Sequence, residues 1–465
     1  MPRSCVVYPR PRTIRWRPLT PRGSICGGFS SGGGEVRIGI VSARLVAIDG
    51  VSIEAEKWRA AFRKLGHQVV LIAGSFGGDP QGPHVRIPWL DYADPEVVRL
   101  PDILSRPVPF DLASEQEMVA QAREIKRQLF VTIERERIDL LDVENLISLP
   151  LNLAAGIALV EIIRDTRIPF ICRHHDFYWE RPELARSRLR DYLDRNFPPH
   201  DDETIHVVIN RRAQRELRLR HGILPTRIPN VLDPNMVGAQ DDYNADFRDS
   251  FDIPKEALLF LQPSRLIERK CIEDSVRLAA AVRDRLKRPV VLLITGPPGD
   301  GSEADPYCQR VLALAEELSV PVVLAWKRIF IRRGRTAAGA KIYAIADAYA
   351  HADLVTFPSR LEGFGNPVIE AAANHLPLFV RHYPVLDDML EKGFKFALLE
   401  DGLTQEVVEQ VVALLTDRMA RRVLAHNAEV VRRYFSPLTL EILLSEVLER
   451  AEVSPLRPAQ PPPPG

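Results

Sequence analysis

The stretch Val36-Arg37-Ile38-Gly39-Ile40-Val41 decides the fold, because a helical stretch from Val51 to Leu65, closed by Gly66, separates it from a second apolar run, Val69-Val70-Leu71-Ile72. Two short β-branched runs joined through a helix read as a βαβ unit, two parallel strands in one sheet. Outward from this unit the alternation continues through Ile138–Asp142, an apolar helix around Leu153 to Ile163, and strands at Pro169–Cys172 and Val207–Ile209. A second series opens at Leu258–Leu261, passes through a helix from about Ile272 to Leu286 and returns as Val290–Ile294. Further strands are expected at Val322–Leu324, Leu354–Phe357 and Leu378–Val380, with helices at Ala340 to Ala350 and Pro367 to Asn374. From Gln405 to Glu452 the pattern is amphipathic helix alone. The expected fold is α/β: two doubly wound parallel-sheet domains facing across a cleft, with C-terminal helices. Ligands then belong at the carboxyl ends of the strands.

The ends read differently. Residues 1–34 contain no acid, carry Arg3, Arg10, Arg12, Arg15, Arg17 and Arg22, and finish in a Gly/Ser run. Pro2, Pro9, Pro11, Pro18 and Pro21 prevent an amphipathic targeting helix, so a disordered extension is expected. The proline-rich tail, 454–465, is read the same way. The body divides into an expected first domain, 35–235, and a second, 236–453, with Asp233 to Pro254 as the linker.

Lys+Arg and Asp+Glu both number 62, giving a net charge of zero and no global field for nucleic acid or anionic membranes. The five cysteines form no CxxC pair, which excludes a disulfide framework or zinc cluster and makes a reducing cytoplasm the expected location. The longest uncharged run, Asn145 to Val160, is shorter than the roughly 20 residues of a membrane span, so no stable membrane insertion is expected.

Two stretches carry chemistry. In Phe357-Pro358-Ser359-Arg360-Leu361-Glu362-Gly363-Phe364-Gly365-Asn366-Pro367-Val368-Ile369-Glu370-Ala371, a Gly-rich loop after a strand opens a helix, with carboxylates at Glu362 and Glu370. Such a loop points backbone N–H groups and a helix dipole at an anion, and ionised carboxylates accept from sugar hydroxyls. In Ser264-Arg265-Leu266-Ile267-Glu268-Arg269-Lys270, Arg265 and Lys270 follow another strand and suit a diphosphate. By contrast, Gly296-Pro297-Pro298-Gly299-Asp300-Gly301 lacks the Lys-Ser/Thr of a phosphate-binding loop, and no GxGxxG follows Val36–Val41, which argues against a nicotinamide enzyme.

Together these residues resemble glycosyltransferase family 4, retaining enzymes of the two-Rossmann GT-B fold. The resemblance implies that Arg265 and Lys270 bind the donor diphosphate and that Glu362 lies by the donor sugar. It also implies that Gly363, Phe364, Gly365 and Asn366 grip sugar and phosphate, and that Glu370 binds the ribose. In the first domain it implies a loop near phosphate and acceptor at Asp49-Gly50-Val51-Ser52, centred on Gly50. It further implies a cleft histidine in Arg173-His174-His175-Asp176-Phe177.

Period-2 alternation lets one of His174 and His175 face the cleft, and His175, beside Asp176, is favoured. Asp176 is expected to orient the imidazole or to hold a substrate hydroxyl. The expected catalytic set is therefore His175, Glu362, Arg265 and Lys270, with Gly50, His174 and Asp176 on the acceptor side.

Val380-Arg381-His382-Tyr383-Pro384 replaces the family's GG turn. With His174–Arg181 it resembles the branch containing mannosylglucosyl-3-phosphoglycerate synthase. The expected reaction moves a hexose from GDP-mannose or a UDP/GDP-glucose to a small polar acceptor, such as a phosphorylated glucosylglycerate, without metal or cofactor. Arg173, Arg181, Arg381 and the run Arg211–Arg220 are candidate cations for an anionic acceptor. A disaccharide synthase, a lipid or polysaccharide glycosyltransferase, and a nucleotide-sugar sensor without catalysis are the competing readings.

Overall fold

The computed structural model describes residues 35–451 apart from 48, 106–111, 167, 202–203 and 420. The expected N-terminal extension and the C-terminal tail lie outside the described residues. Seven strands build the first sheet: β1 (Arg37–Leu45), β2 (Gln68–Phe76), β3 (His84–Arg86), β4 (Leu140–Glu144), β5 (Phe170–His174), β6 (Thr204–Val208) and β7 (Thr226–Arg227). Their order is β3-β2-β1-β4-β5-β6-β7, parallel throughout. The central strands are buried on both faces, as a parallel sheet covered by helices requires.

The helix Gly50–Lys64 connects β1 to β2. Asp49 caps it, accepting from the Ser52 N–H at 3.0 Å, and Gly66 at φ 92° turns the chain out of it. The predicted loop around Gly50 is thus the cap and first turn of this helix.

The second series gives β8 (Leu258–Gln262), β9 (Val290–Ile294) and β10 (Val322–Leu324). After these come β11 (Ile329–Phe330), β12 (Gly334–Arg335) and β13 (Lys341–Ala344), and then β14 (Leu354–Phe357), β15 (Leu378–Arg381) and β16 (Ala397–Leu399). Six of them form a parallel sheet in the order β10-β9-β8-β14-β15-β16. The strand order reverses between β1 and β4 in one sheet and between β8 and β14 in the other, and loops from both switch points enter the cleft.

Two expectations need correction. The segment 340–350 is not one helix: β13 lies in a small sheet ordered β11-β13-β12, and a shorter helix, Ile345–His351, follows. Tyr343 decides this, its ring fully buried against Phe247 and Phe251. The terminal helices also do not all stay with the second sheet. Pro437–Arg450 packs on the helix Gly50–Lys64, placing Leu440, Leu444 and Val447 with Trp58 and Phe62, and Glu441 meets Lys64 at 2.8 Å. Its i, i+4, i+7 apolar spacing marks a buried face but does not say which half it covers.

Candidate active site

The cleft has a volume of about 800 Å³ and is lined from both sheets. On the second-sheet side, a buried polar knot shapes the loop after β8. The Gln262 amide nitrogen donates to Ser264 Oγ at 2.8 Å, while its oxygen accepts from Ser275 and Thr356 at 2.9 and 2.7 Å. Arg265 then emerges exposed, donating to the Gly299 carbonyl at 2.9 Å. Lys270 is buried, with its ammonium 4.8 Å from the centre of the Phe357 ring and hydrogen-bonded to Glu362. Burial pulls the Lys270 pKa below its ordinary value, and Glu362 opposes that shift. Arg269, which the sequence motif passed over, also reaches Glu362, at 3.2 Å.

The loop after β14 runs from Glu362 into the helix Asn366–Ala373. Gly365 has φ 102°, and a Cβ there would stand 2.1 Å from Tyr383 Oη, so no other residue fits. The same Tyr383 hydroxyl donates to the Phe364 carbonyl at 2.9 Å, fixing the loop from below. The Phe364 ring packs on Phe435 at 5.9 Å between centroids, which leaves its backbone as the polar element. Glu370 does not line the cleft: it is half-buried one helical turn further on and accepts from the Tyr349 hydroxyl at 2.6 Å. Burial raises its pKa.

On the first-sheet side His175 lines the cleft and His174 does not. His174 is fully buried, with Nε2 2.9 Å from Nδ1 of His206, because successive residues of β5 and its extension face opposite sides. The placement of His174 among acceptor-contacting residues is thereby corrected. The partner of His175 is also not the predicted one. Its Nε2 stands 2.6 Å from Glu144 Oε2, whereas Asp176 is held by Asn145 at 2.7 Å and Arg181 at 2.6 Å. Gly50 lines the cleft with open space at its Cβ position.

Behind His175 lies a charged chain that the sequence reading missed. Arg173 is fully buried, donates to Glu144 at 3.1 Å and to Glu54 at 3.2 Å, and stacks on Trp58 at 4.3 Å. Burial pushes Glu144 up, but Arg173 and His175 outweigh it and hold the carboxyl below its ordinary range. Neighbouring Asp142, buried with both oxygens unpartnered, is raised well above its range by burial and by Glu144. Glu54 in turn accepts from Asn366 Nδ2 of the second half at 3.2 Å. Asn210 donates to the Gly363 carbonyl at 2.8 Å, and Asn230 to Asn366 Oδ1 at 3.1 Å. The glycine-rich loop is thus tied directly to the opposite wall. A signal was present: an acid in an apolar strand that is buried on both faces must be either paired with a charge or neutralised.

Of the candidate acceptor cations, Arg173 is spent in this chain and Arg381 is turned to Asp274, Pro358 and Glu400, outside the cleft. Arg211 pairs with Glu391, while Arg181 and Arg212 remain among the lining residues.

An exposed arginine and a buried lysine beside a glycine-rich helix start thus face a histidine–carboxylate pair across one cleft between the two parallel sheets. Residues 48–235 match the family model described as Glycosyltransferase Family 4, and residues 258–417 the model described as Glycosyl transferases group 1. The chain belongs to the family 4 glycosyltransferases.

Within the family it resembles two relatives named mannosylglucosylglycerate synthase. That of Petrotoga mobilis is 32% identical over 430 residues, 84% of this chain and 96% of the relative. That of Thermotoga maritima is 30% identical over 454 residues, 89% of this chain and all of the relative. Among solved structures, a glycosyltransferase from Rickettsia africae matches at a TM-score of 0.60 and 14% identity, covering 90% of this chain and 98% of that one. HepE of Anabaena, solved with UDP and glucose, matches at 0.59 and 16%, covering 90% and 100%. These two likenesses establish the fold. No helix among the described residues is long and apolar enough to cross a membrane.

Proposed function

We propose that this protein transfers a mannosyl group from GDP-mannose to glucosylglycerate, with retention of anomeric configuration. The observation that carries the reading is the meeting of Arg265, Lys270, Glu362 and the Gly363–Asn366 loop with His175 in one cleft. The chain that builds this cleft matches the two synthases along nearly their whole length. The relatives' names carry no phosphate, so the unphosphorylated acceptor is preferred over the phosphorylated one expected from local motifs.

In this reading Arg265, Lys270 and the loop amides take the diphosphate, whose charge grows as the bond from sugar C1 to phosphate oxygen breaks. Glu362 stands by the transferred sugar, and His175 and Asp176 orient the acceptor beside Gly50. The acceptor hydroxyl attacks C1 on the face the diphosphate leaves, and its proton passes to the departing diphosphate oxygen. Position and charge supply the rate, with no covalent enzyme intermediate, metal or cofactor.

The test is incubation with GDP-mannose, GDP-glucose or UDP-glucose and, in turn, glucosylglycerate, its phosphorylated form or free glucose, with products read by mass spectrometry and proton NMR. The expected product is mannosylglucosylglycerate with the donor's anomeric configuration. An inverted product overturns retention; no transfer to glucosylglycerate overturns the acceptor.

A further inference from the structure

Six cations line the cleft among the described residues: Arg44, Arg181, Arg212, Arg265, Arg269 and Lys270. Four already have a carboxylate within hydrogen-bond distance. Arg181 holds Asp176 at 2.6 Å, Arg212 holds Glu216 at 3.1 Å, and Arg269 and Lys270 share Glu362. The other two lie on opposite walls. Arg265 follows β8 and bonds only a carbonyl, at 2.9 Å. Arg44 is in β1, and its nearest carboxylate, Asp91, is 3.7 Å away.

Asp91 also serves its own loop, one oxygen accepting from the Ser75 hydroxyl and the other from the Ala93 N–H at 2.9 Å, and at 3.7 Å it makes a long ion pair with Arg44 and no hydrogen-bonded fork. The Arg44 backbone is fixed, since its carbonyl accepts from Ser52 Oγ at 3.2 Å in the first turn of the helix that starts at Gly50. The guanidinium is a part-exposed cation on a fixed stretch of backbone, in a long ion pair with Asp91 at 3.7 Å and with no carboxylate at hydrogen-bond distance of its planar fork.

We infer that Arg44 binds the carboxylate of the acceptor, so that the cleft selects a sugar acid over the neutral sugar of the same size. The inference rests on the acceptor class proposed above and assigns its charged end to a residue outside every motif of the family resemblance. Arg265 meets the donor's charge on one wall, and Arg44 meets the acceptor's on the other. Arg181, already bonded to Asp176, is an orienting residue rather than the anion anchor.

The experiment compares kcat/KM for glucosylglycerate with that for glucosylglycerol, its neutral counterpart, in the full chain and in Arg44→Gln, Arg44→Lys and Arg181→Gln. The wild type should prefer the acid. Loss of a charge-assisted fork should cut that preference by roughly 10- to 100-fold in Arg44→Gln, chiefly through the KM for the acid. Arg44→Lys should recover part of it, and Arg181→Gln should keep it. Equal use of both acceptors by the wild type, or a preference that survives Arg44→Gln, overturns the assignment, as does a collapse specific to Arg181→Gln. Transfer to neither acceptor overturns the acceptor class itself, a result separable from the others because it appears already in the wild type.

Discussion

The two walls of the cleft handle charge in opposite ways. On the first-sheet wall, Glu144 and Glu54 are buried and both paired to Arg173, which lies over the Trp58 ring, so their geometry is fixed before any substrate arrives. On the second-sheet wall the cations stay near solvent or on one shared carboxylate: Arg265 is exposed, and Lys270 and Arg269 converge on Glu362. A buried pair taken apart leaves an uncompensated charge in low dielectric, whereas an accessible cation can change partners cheaply. The difference teaches a division of roles: one wall holds shape, and the other, on the proposed reading, exchanges an internal carboxylate for the donor's diphosphate.

The largest effect should come from the exchanging wall. In Lys270→Ala, Glu362 keeps Arg269 at 3.2 Å, so the fold should survive, while the leaving diphosphate loses a buried ammonium. Turnover should fall about 100- to 1,000-fold, the usual loss for one preorganised charge partner in the transition state. Initial rates at saturating donor, with thermal unfolding close to wild type, check this; a wild-type rate would remove Lys270 from the site.

Breaking the other wall should show in stability. Arg173→Met removes the one charge that Glu144 and Glu54 share, leaving Glu144 with His175 and Glu54 with Lys57 and Asn366 around a buried apolar side chain, and should cost up to about 3–5 kcal/mol. Urea unfolding of the variant against wild type measures it. A loss below about 1 kcal/mol would mean that His175 and Lys57 alone compensate the two carboxylates and that Arg173 does not fix the shape of this wall.

The sheets were legible because their period is short and local: Val290–Ile294, Val322–Leu324 and Leu354–Phe357 lie where the alternation predicts. The glycine-rich loop was legible for a similar reason, since Gly365 and the helix start sit within a few residues of each other. What could not be read were partnerships across long separations. Glu144 meets Arg173 29 positions away, and Glu54 meets Asn366 312 positions away, and no periodicity encodes either. His175 beside Asp176 invited a local pairing; the extended backbone after β5 instead turns the ring toward β4. Arg44 was missed because a single charged residue in a strand is not distinguished from a solvated edge until the opposite wall is known.

Acid sharpens the same comparison, because a dense group of neutral imidazoles lies behind the first-sheet wall. Burial lowers His206 to about 3 and His221 to about 4, and holds His174 well below its ordinary value. At neutral pH folded and unfolded rings are both uncharged, and they contribute no pH dependence. Below about 6.5 the unfolded ring binds a proton while the folded His206 does not until about 3, so stability must fall as pH falls through that window. Between pH 7 and 5 this single ring accounts for about 2 kcal/mol, because pH 5 lies about 1.5 below the unfolded pKa and each pH unit there costs about 1.36 kcal/mol. His206→Gln keeps a polar partner for His174 and removes the titration. Urea unfolding at pH 7.5 and 5.0 should therefore show a smaller acid penalty in the variant by about that amount. Equal penalties would mean that His206 already takes up its proton in the folded state, and the wall behind His175 would then be more open to water than its packing implies.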